Sequence, residues 1–166
     1  MTLYAAIVFI HAATMLLFFI AHGASMAVAF GLKHERDPAA ARALLDLSTW
    51  AMGWPTGILV IIGLLSGIAV GIMGGWFGQI WIWASLVLFI VVALAMTPLA
   101  SSRLKPMRAA AGTVPFNPFS RTPPPAPEPD PEELARLLDE WNPVPIALLG
   151  LSSFLVLLWL MLFKPF

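Results

Sequence analysis

The chain of 166 residues is 60% hydrophobic and only 11% charged, whereas a soluble domain carries about 25% charged residues. Nine basic residues balance nine acidic ones, without the basic surface that nucleic-acid binding requires. The absence of cysteine excludes disulfides, thiolate metal sites and cysteine nucleophiles.

Two long apolar runs open the chain. The first covers residues 3–32, which exceeds the roughly 20 residues that cross the hydrocarbon layer. No basic residue precedes it and it is too long for a signal peptide, so we interpret it as a retained span. The second covers residues 50–73 and is followed by Gly74 and Gly75.

Two further apolar runs cover residues 80–99 and 144–163. The third starts at Trp81 and Trp83, and the fourth follows a proline-rich turn, where proline is compatible with a first helical turn. The four runs together predict an all-α integral membrane four-helix bundle in a single membrane domain, residues 1–166.

The segments between the spans carry the polar residues. Residues 33–47 predict a short interfacial helix after Asp37-Pro38, and residues 101–142 predict a proline-rich arm that ends in a short amphipathic helix, residues 131–141. Asp130 is its expected cap, with Glu133 completing a capping box. One apolar stripe of this helix is predicted to dock on the membrane or on a partner: Leu134, Leu137, Leu138 and Trp141.

The basic residues predict the orientation, because Lys and Arg near spans stay on the cytoplasmic side. Eight of the nine fall in loops 33–49 and 101–142, and only Lys164 falls on the other side. We therefore expect a multi-pass protein of the bacterial inner membrane with both loops in the cytoplasm and both termini on the periplasmic side.

Small residues recur at four-residue spacing in two spans, in the pattern that lets membrane helices approach closely. The ridge residues are Gly23, Ala27 and Gly31 in the first span and Gly63, Gly67 and Gly71 in the second. Packing within the bundle is one interpretation. Self-association, or docking to another membrane subunit, is the other.

Histidines 11 and 22 are the only ionisable residues inside the predicted spans. Eleven residues bring them back to within about 20° on one face of the first helix, roughly 16 Å apart. A histidine in a span indicates a functional site by default. Hydrogen bonding within the bundle, ligation of b-type haem, a quinone site, and a metal or proton path all stay open.

A haem at either histidine needs a second axial ligand, and the later spans contain no histidine. A histidine of another chain would serve, or one of four methionines: Met52, Met73, Met96 or Met161. Because the spans contain no Asp, Glu, Lys or Arg, we predict no catalytic residues and no protein-bound metal centre, and a channel or carrier is disfavoured.

The sequence resembles a family of small bacterial integral membrane proteins that has no assigned activity. The resemblance covers most of the chain, and six segments carry it: His11, His22-Gly23, the charged turn Lys33–Asp37, the glycine-containing stretch 48–71, the Trp81–Ser85 segment and the closing Leu160–Pro165 segment. The early histidine is also similar to that of haem-binding membrane protoporphyrinogen oxidases and copper-resistance membrane proteins.

These features favour a non-catalytic inner-membrane protein, an accessory or assembly subunit of a larger, energy-transducing membrane complex. Lipid and other membrane subunits, or a second copy, are the expected partners. The alternative is a small b-type haem-binding electron-transfer protein or oxidoreductase that uses His11 and His22.

Overall fold

The computed structural model describes residues 2–114 and 125–165, and within these ranges the chain is helical without any strand. Its six α-helices and one 3-10 turn are, in chain order, α1 Leu3–His34, α2 Pro38–Met52, α3 Trp54–Met73, the turn Trp76–Gly78, α4 Ile80–Ala110, α5 Pro131–Asp139 and α6 Val144–Phe163.

Four stretches of helix are long and apolar enough to cross a membrane: α1, α2 together with α3, α4, and α6. This confirms the predicted all-α membrane bundle. The segment 33–47, where a short interfacial helix is expected, contains the start of α2, which begins at Pro38 and extends to Met52, next to α3. Gly53 separates the two helices, and a Cβ there would collide with the backbone oxygen of Thr49.

Successive spans run antiparallel, and α1 is the central helix. It packs along α3 near its start, meets α6 through aromatic side chains further on, and packs on α2 and α5 near its end. A second packed pair is formed by α4 and α6. We call the end with α2 and α5 the charged end, and the end with the 74–79 turn the hairpin end.

Helix α4 continues through Pro98 and Pro106 to Ala110, well past the predicted span end at residue 99. A proline lacks the N–H that bonds four residues back, so each weakens the helix locally. The extension is nevertheless packed, since Met107 and Ala110 are buried. The helix ends just before Gly112, whose φ of 67° lies in the left-handed region that glycine adopts without strain.

The amphipathic helix α5 forms with the predicted cap. Asp130 accepts a hydrogen bond from the Glu133 amide over 3.0 Å, and Pro131 occupies the first turn. The reciprocal half of the capping box is absent. The Asp130 amide donates instead to the Ala110 carbonyl, and the Glu133 carboxylate pairs with Arg136.

A compact hydrophobic core lies at the charged end. Four helices and the residues just after α4 and α5 contribute to it, and its buried members are Val28, Leu32, Ala41, Leu45, Met107, Ala110, Ala111, Leu134, Leu138 and Trp141. At the hairpin end, the Lys164 ammonium lies 4.0 Å from the centre of the Trp76 ring, a cation–π contact that ties α6 to the turn.

Candidate functional site

The two membrane histidines both lie on α1, but they meet different neighbours. His11 faces α3, whereas His22 faces α6. Because α1 passes from one neighbouring helix to the other, residues that share one face on a helical wheel reach two separate environments. The bundle therefore contains two histidine sites.

The imidazole of His11 is hydrogen-bonded to α3. Its Nδ1 lies 2.9 Å from the Gly63 carbonyl oxygen and 3.3 Å from the Ser66 hydroxyl oxygen. That hydroxyl lies 2.6 Å from the Ile62 carbonyl oxygen, to which it donates. A carbonyl oxygen only accepts, so Nδ1 carries the proton and donates to Gly63.

This assignment leaves the other ring nitrogen of His11, Nε2, unprotonated in the neutral imidazole. Nε2 has no hydrogen-bond partner among the described residues, and it is not one of their buried unpartnered atoms. Metal-ligating histidines commonly donate one nitrogen to a carbonyl and ligate with the other. His11 is therefore in the tautomeric form that could ligate a metal through Nε2. The hydrogen bond to Gly63 is equally consistent with a role in helix packing alone.

The glycine ridge of α3 makes room for α1 and for the hairpin turn. A Cβ at Gly67 would lie 2.9 Å from Cε1 of His11, and one at Gly63 would collide with the Met15 side chain. At Gly71 a Cβ would lie 2.7 Å from the Ile82 side chain. All three positions are thus occupied by the chain's own residues.

His22 lies in an apolar, aromatic site. Its ring centre is 6.2 Å from that of Phe18 and 5.9 Å from that of Phe154. Gly150 of α6 allows the close approach, since a Cβ there would lie 2.5 Å from Nε2 of His22 and 3.5 Å from the Met96 methyl carbon. The His22 imidazole and the Met96 methyl group therefore both lie close to Gly150.

Both ring nitrogens of His22 are buried without a hydrogen-bond partner in the described part of the chain. Buried polar atoms are nearly always partnered, so an orphaned pair points to a missing ligand or to a functional constraint. His11 and His22 thus differ: the first is hydrogen-bonded to its neighbouring helix, and the second lies among apolar side chains without a hydrogen bond.

A metal-ion site built from the chain's own carboxylates and histidines is absent from the ranges 2–114 and 125–165, where no group of three such residues comes together. Two cavities at the charged end measure about 30 and 110 Å³, and neither is lined by a histidine of the described ranges. Of the methionines considered as second haem ligands, Met96 lies near His22, since both side chains approach Gly150. Phe18 and Phe154 would have to move to admit the macrocycle.

The small residues of α1 divide into two groups. Gly31 is in contact with the chain, since a Cβ there would lie 3.5 Å from the Leu44 side chain. A Cβ at Gly23 would meet nothing within 4 Å, and both Gly23 and Ala27 are exposed. We call Gly23 and Ala27 the open ridge.

The stripe of α5 is placed against the protein's own core. Leu134, Leu138 and Trp141 are buried, and Leu137 is half-buried beside them. The Trp141 indole donates to the Ala29 carbonyl oxygen of α1 over 2.8 Å. The side chains that were expected to meet membrane or partner therefore hold α5 onto α1, α2 and α4.

Two residues near His22, Gly150 and Phe154, are not predicted from the sequence, and Met96 is predicted only as one of four possible methionine ligands. A lone glycine in an otherwise bulky span was the available signal for Gly150. The role of Gly150 depends on which helix packs against it, and a hydropathy pattern does not show which helices are neighbours.

A family model described as "Predicted integral membrane protein (DUF2269)" matches residues 5–165. No curated protein and no solved structure matches the chain.

Proposed function

This chain belongs to the DUF2269 family of predicted integral membrane proteins, and we propose that it is a non-catalytic accessory subunit that docks onto another membrane helix. In this proposal the membrane is the bacterial inner membrane and the charged end lies in the cytoplasm, where its eight basic residues favour retention.

The open ridge on α1 is the observation that supports docking. The three ridge glycines of α3 are filled by the chain's own side chains, whereas Gly23 and Ala27 are left exposed by the described residues. Lipid gives no hydrophobic drive for helix association, so membrane helices associate where small residues allow backbones to pack. A ridge left open by the bundle is suited to a helix from outside it.

The distribution of ionisable groups supports a non-catalytic role. The predicted spans contain no carboxylate, lysine or arginine, and one of their two histidines is engaged with the Gly63 carbonyl. General acid–base chemistry needs a positioned group that can exchange protons with a substrate. Apart from Lys164, the charged residues of the described ranges lie instead at one end, around the hydrophobic core.

The mass of the purified complex tests docking. In mild detergent the wild-type protein should carry at least one further chain, a second copy or a different subunit. Ala27→Leu should release the single chain, because a branched side chain would separate the backbones. Leu65→Ala, at a 61% exposed position on α3, is the control and should leave the mass unchanged. A wild-type protein without any associated chain contradicts the proposal.

A second candidate function, binding of b-type haem, is favoured by one observation: the His22 imidazole has no hydrogen-bond partner among the described residues, and it approaches Gly150 as the Met96 methyl group does. Histidine and methionine are a known pair of haem axial ligands, and a haem held by them would carry one electron. In this candidate His22 and Met96 supply the ligands, and His11 positions α1 on α3 through its bond to Gly63.

An optical spectrum tests the second candidate. Protein purified from haem-replete cells should show a Soret band that shifts on reduction, and Met96→Leu and His22→Ala should each weaken it. His11→Ala should retain it if the protein stays folded. A colourless, intact wild-type bundle rules out haem and leaves His22 with a packing role.

A further inference from the structure

A groove between α4 and α5 at the charged end has an apolar floor and a charged rim. Its cavity measures about 110 Å³. Met107 and Trp141 are buried and form its apolar floor, while Arg103 and Glu140 are exposed at its rim. The remaining lining residues are Ser102, Pro106 and Leu137.

The two charges at the rim differ in their pairing. Glu140 accepts from Arg136 over 2.8 Å, and Arg136 also binds Glu133. The third ion pair in the described ranges joins Arg36 to Asp139. Arg103 is in none of these three pairs. Within the described part of the chain, the groove therefore presents an unpaired guanidinium next to a carboxylate that already accepts a hydrogen bond from Arg136.

The position of Arg103 along α4 places it at the depth of lipid headgroups. The apolar run from Ile80 to Leu99 covers 20 residues, which at about 1.5 Å per residue matches the roughly 30 Å of hydrocarbon. Arg103 follows one turn later on the same helix. Leu99, one turn below it on the same face of α4, is exposed and presents an apolar surface to acyl chains.

We propose that this groove binds an anionic phospholipid. The Arg103 guanidinium holds the phosphodiester, the apolar floor with Pro106 and Leu137 covers the glycerol backbone, and the acyl chains lie along the exposed face of α4. An anionic headgroup fits because Arg103 is in none of the ion pairs of the described ranges, whereas the one carboxylate among the described lining residues, Glu140, is already hydrogen-bonded to Arg136. The site is independent of both histidines and of the open ridge.

Thermal unfolding in a neutral detergent tests this proposal, with phosphatidylglycerol, phosphatidylcholine or soluble glycerol phosphate titrated in. Phosphatidylglycerol should raise the melting temperature of the wild-type protein more than the other two additives. Arg103→Gln should raise the half-maximal phosphatidylglycerol concentration about fivefold, the size expected for one basic residue near a charged headgroup.

Lys105→Gln is the matched control, because Lys105 is exposed on the same helix but does not line the groove. It should respond to phosphatidylglycerol like the wild type. Leu137→Trp fills the groove without a charge change and should also lose the response. Equal loss in Lys105→Gln would indicate general charge attraction and overturn the site. An unchanged response in Arg103→Gln, or equal stabilisation by phosphatidylcholine, would overturn it as well.

Discussion

His11 is hydrogen-bonded across the bundle to Gly63, from its Nδ1–H to the carbonyl oxygen over 2.9 Å. This bond joins α1 to α3 inside the membrane, where water does not compete for either group. It is possible because Gly67, one turn further along α3, lacks the Cβ that would meet the imidazole. The histidine and the glycine ridge are therefore parts of one helix contact.

The first prediction concerns Gly67. Gly67→Leu should push α1 away from α3 and lower the free energy of unfolding by about 1–3 kcal/mol, the usual cost of overpacking. Thermal unfolding in detergent measures the loss. Gly57→Leu is the control on the same helix, because a Cβ at Gly57 meets nothing within 4 Å. Equal stability of the two variants would show that the His11 contact does not hold the helices together.

The second prediction concerns the attachment of α5 to the core. Leu134 is 2% exposed, so Leu134→Ala should cost about 2–5 kcal/mol at this contact. Hydrogen exchange measured by mass spectrometry should then show faster exchange in the peptide 131–141, with the spans unchanged. Glu132→Ala, at an exposed position, should exchange like the wild type. Fast exchange of this peptide already in the wild type would contradict the packing of α5.

The third prediction is a pH dependence of α5. The hydrogen bond from Arg136 lowers the pKa of Glu133 below its ordinary value, which is about 4.3. The ionised pair therefore stabilises α5 fully above that value, and the stabilisation is lost as the pH falls through the lowered pKa. Exchange of the helix amides, corrected for intrinsic rates, should accelerate on acidification. In Glu133→Gln this contribution should be missing. A pH profile identical to that of the wild type would show that the ion pair does not contribute to the stability of α5.

The fourth prediction is the membrane orientation. Reporters fused after Arg42 and near Arg121 should be active as cytoplasmic fusions, and a reporter after Phe166 should be active as a periplasmic one, because the basic residues are so unevenly distributed. A cytoplasmic reporter at the C-terminus would reverse the proposed orientation or change the number of crossings.

Much of the fold follows from hydropathy and capping signals. The four spans need only runs of about 20 apolar residues, and α5 needs only Asp130, Pro131 and the leucine spacing. The extension of α4 to Ala110 was not predictable in this way, because Pro98 and Pro106 argue locally against a helix. It depends on burial of Met107 in a core formed by distant segments.

The histidine sites show what a helical wheel leaves out. The wheel places His11 and His22 on one face of α1, but it does not show that α3 lies over one and α6 over the other. The packing of the apolar stripe of α5 could not be predicted either. An apolar stripe predicts burial, while the surface that buries it depends on the path of the chain between residues 99 and 131.

Docking of the open ridge of α1 onto another membrane helix is tested most directly by photo-crosslinking in intact membranes. The photoreactive residue replaces Ala24, which is exposed beside Gly23, and a control replaces Leu65 on α3. Position 24 should give a protein adduct of one defined mass, either twice the chain or the chain plus one partner, and Ala27→Leu should abolish it. Adducts with lipid alone at position 24, or the same protein adduct at position 65, would contradict docking at the ridge.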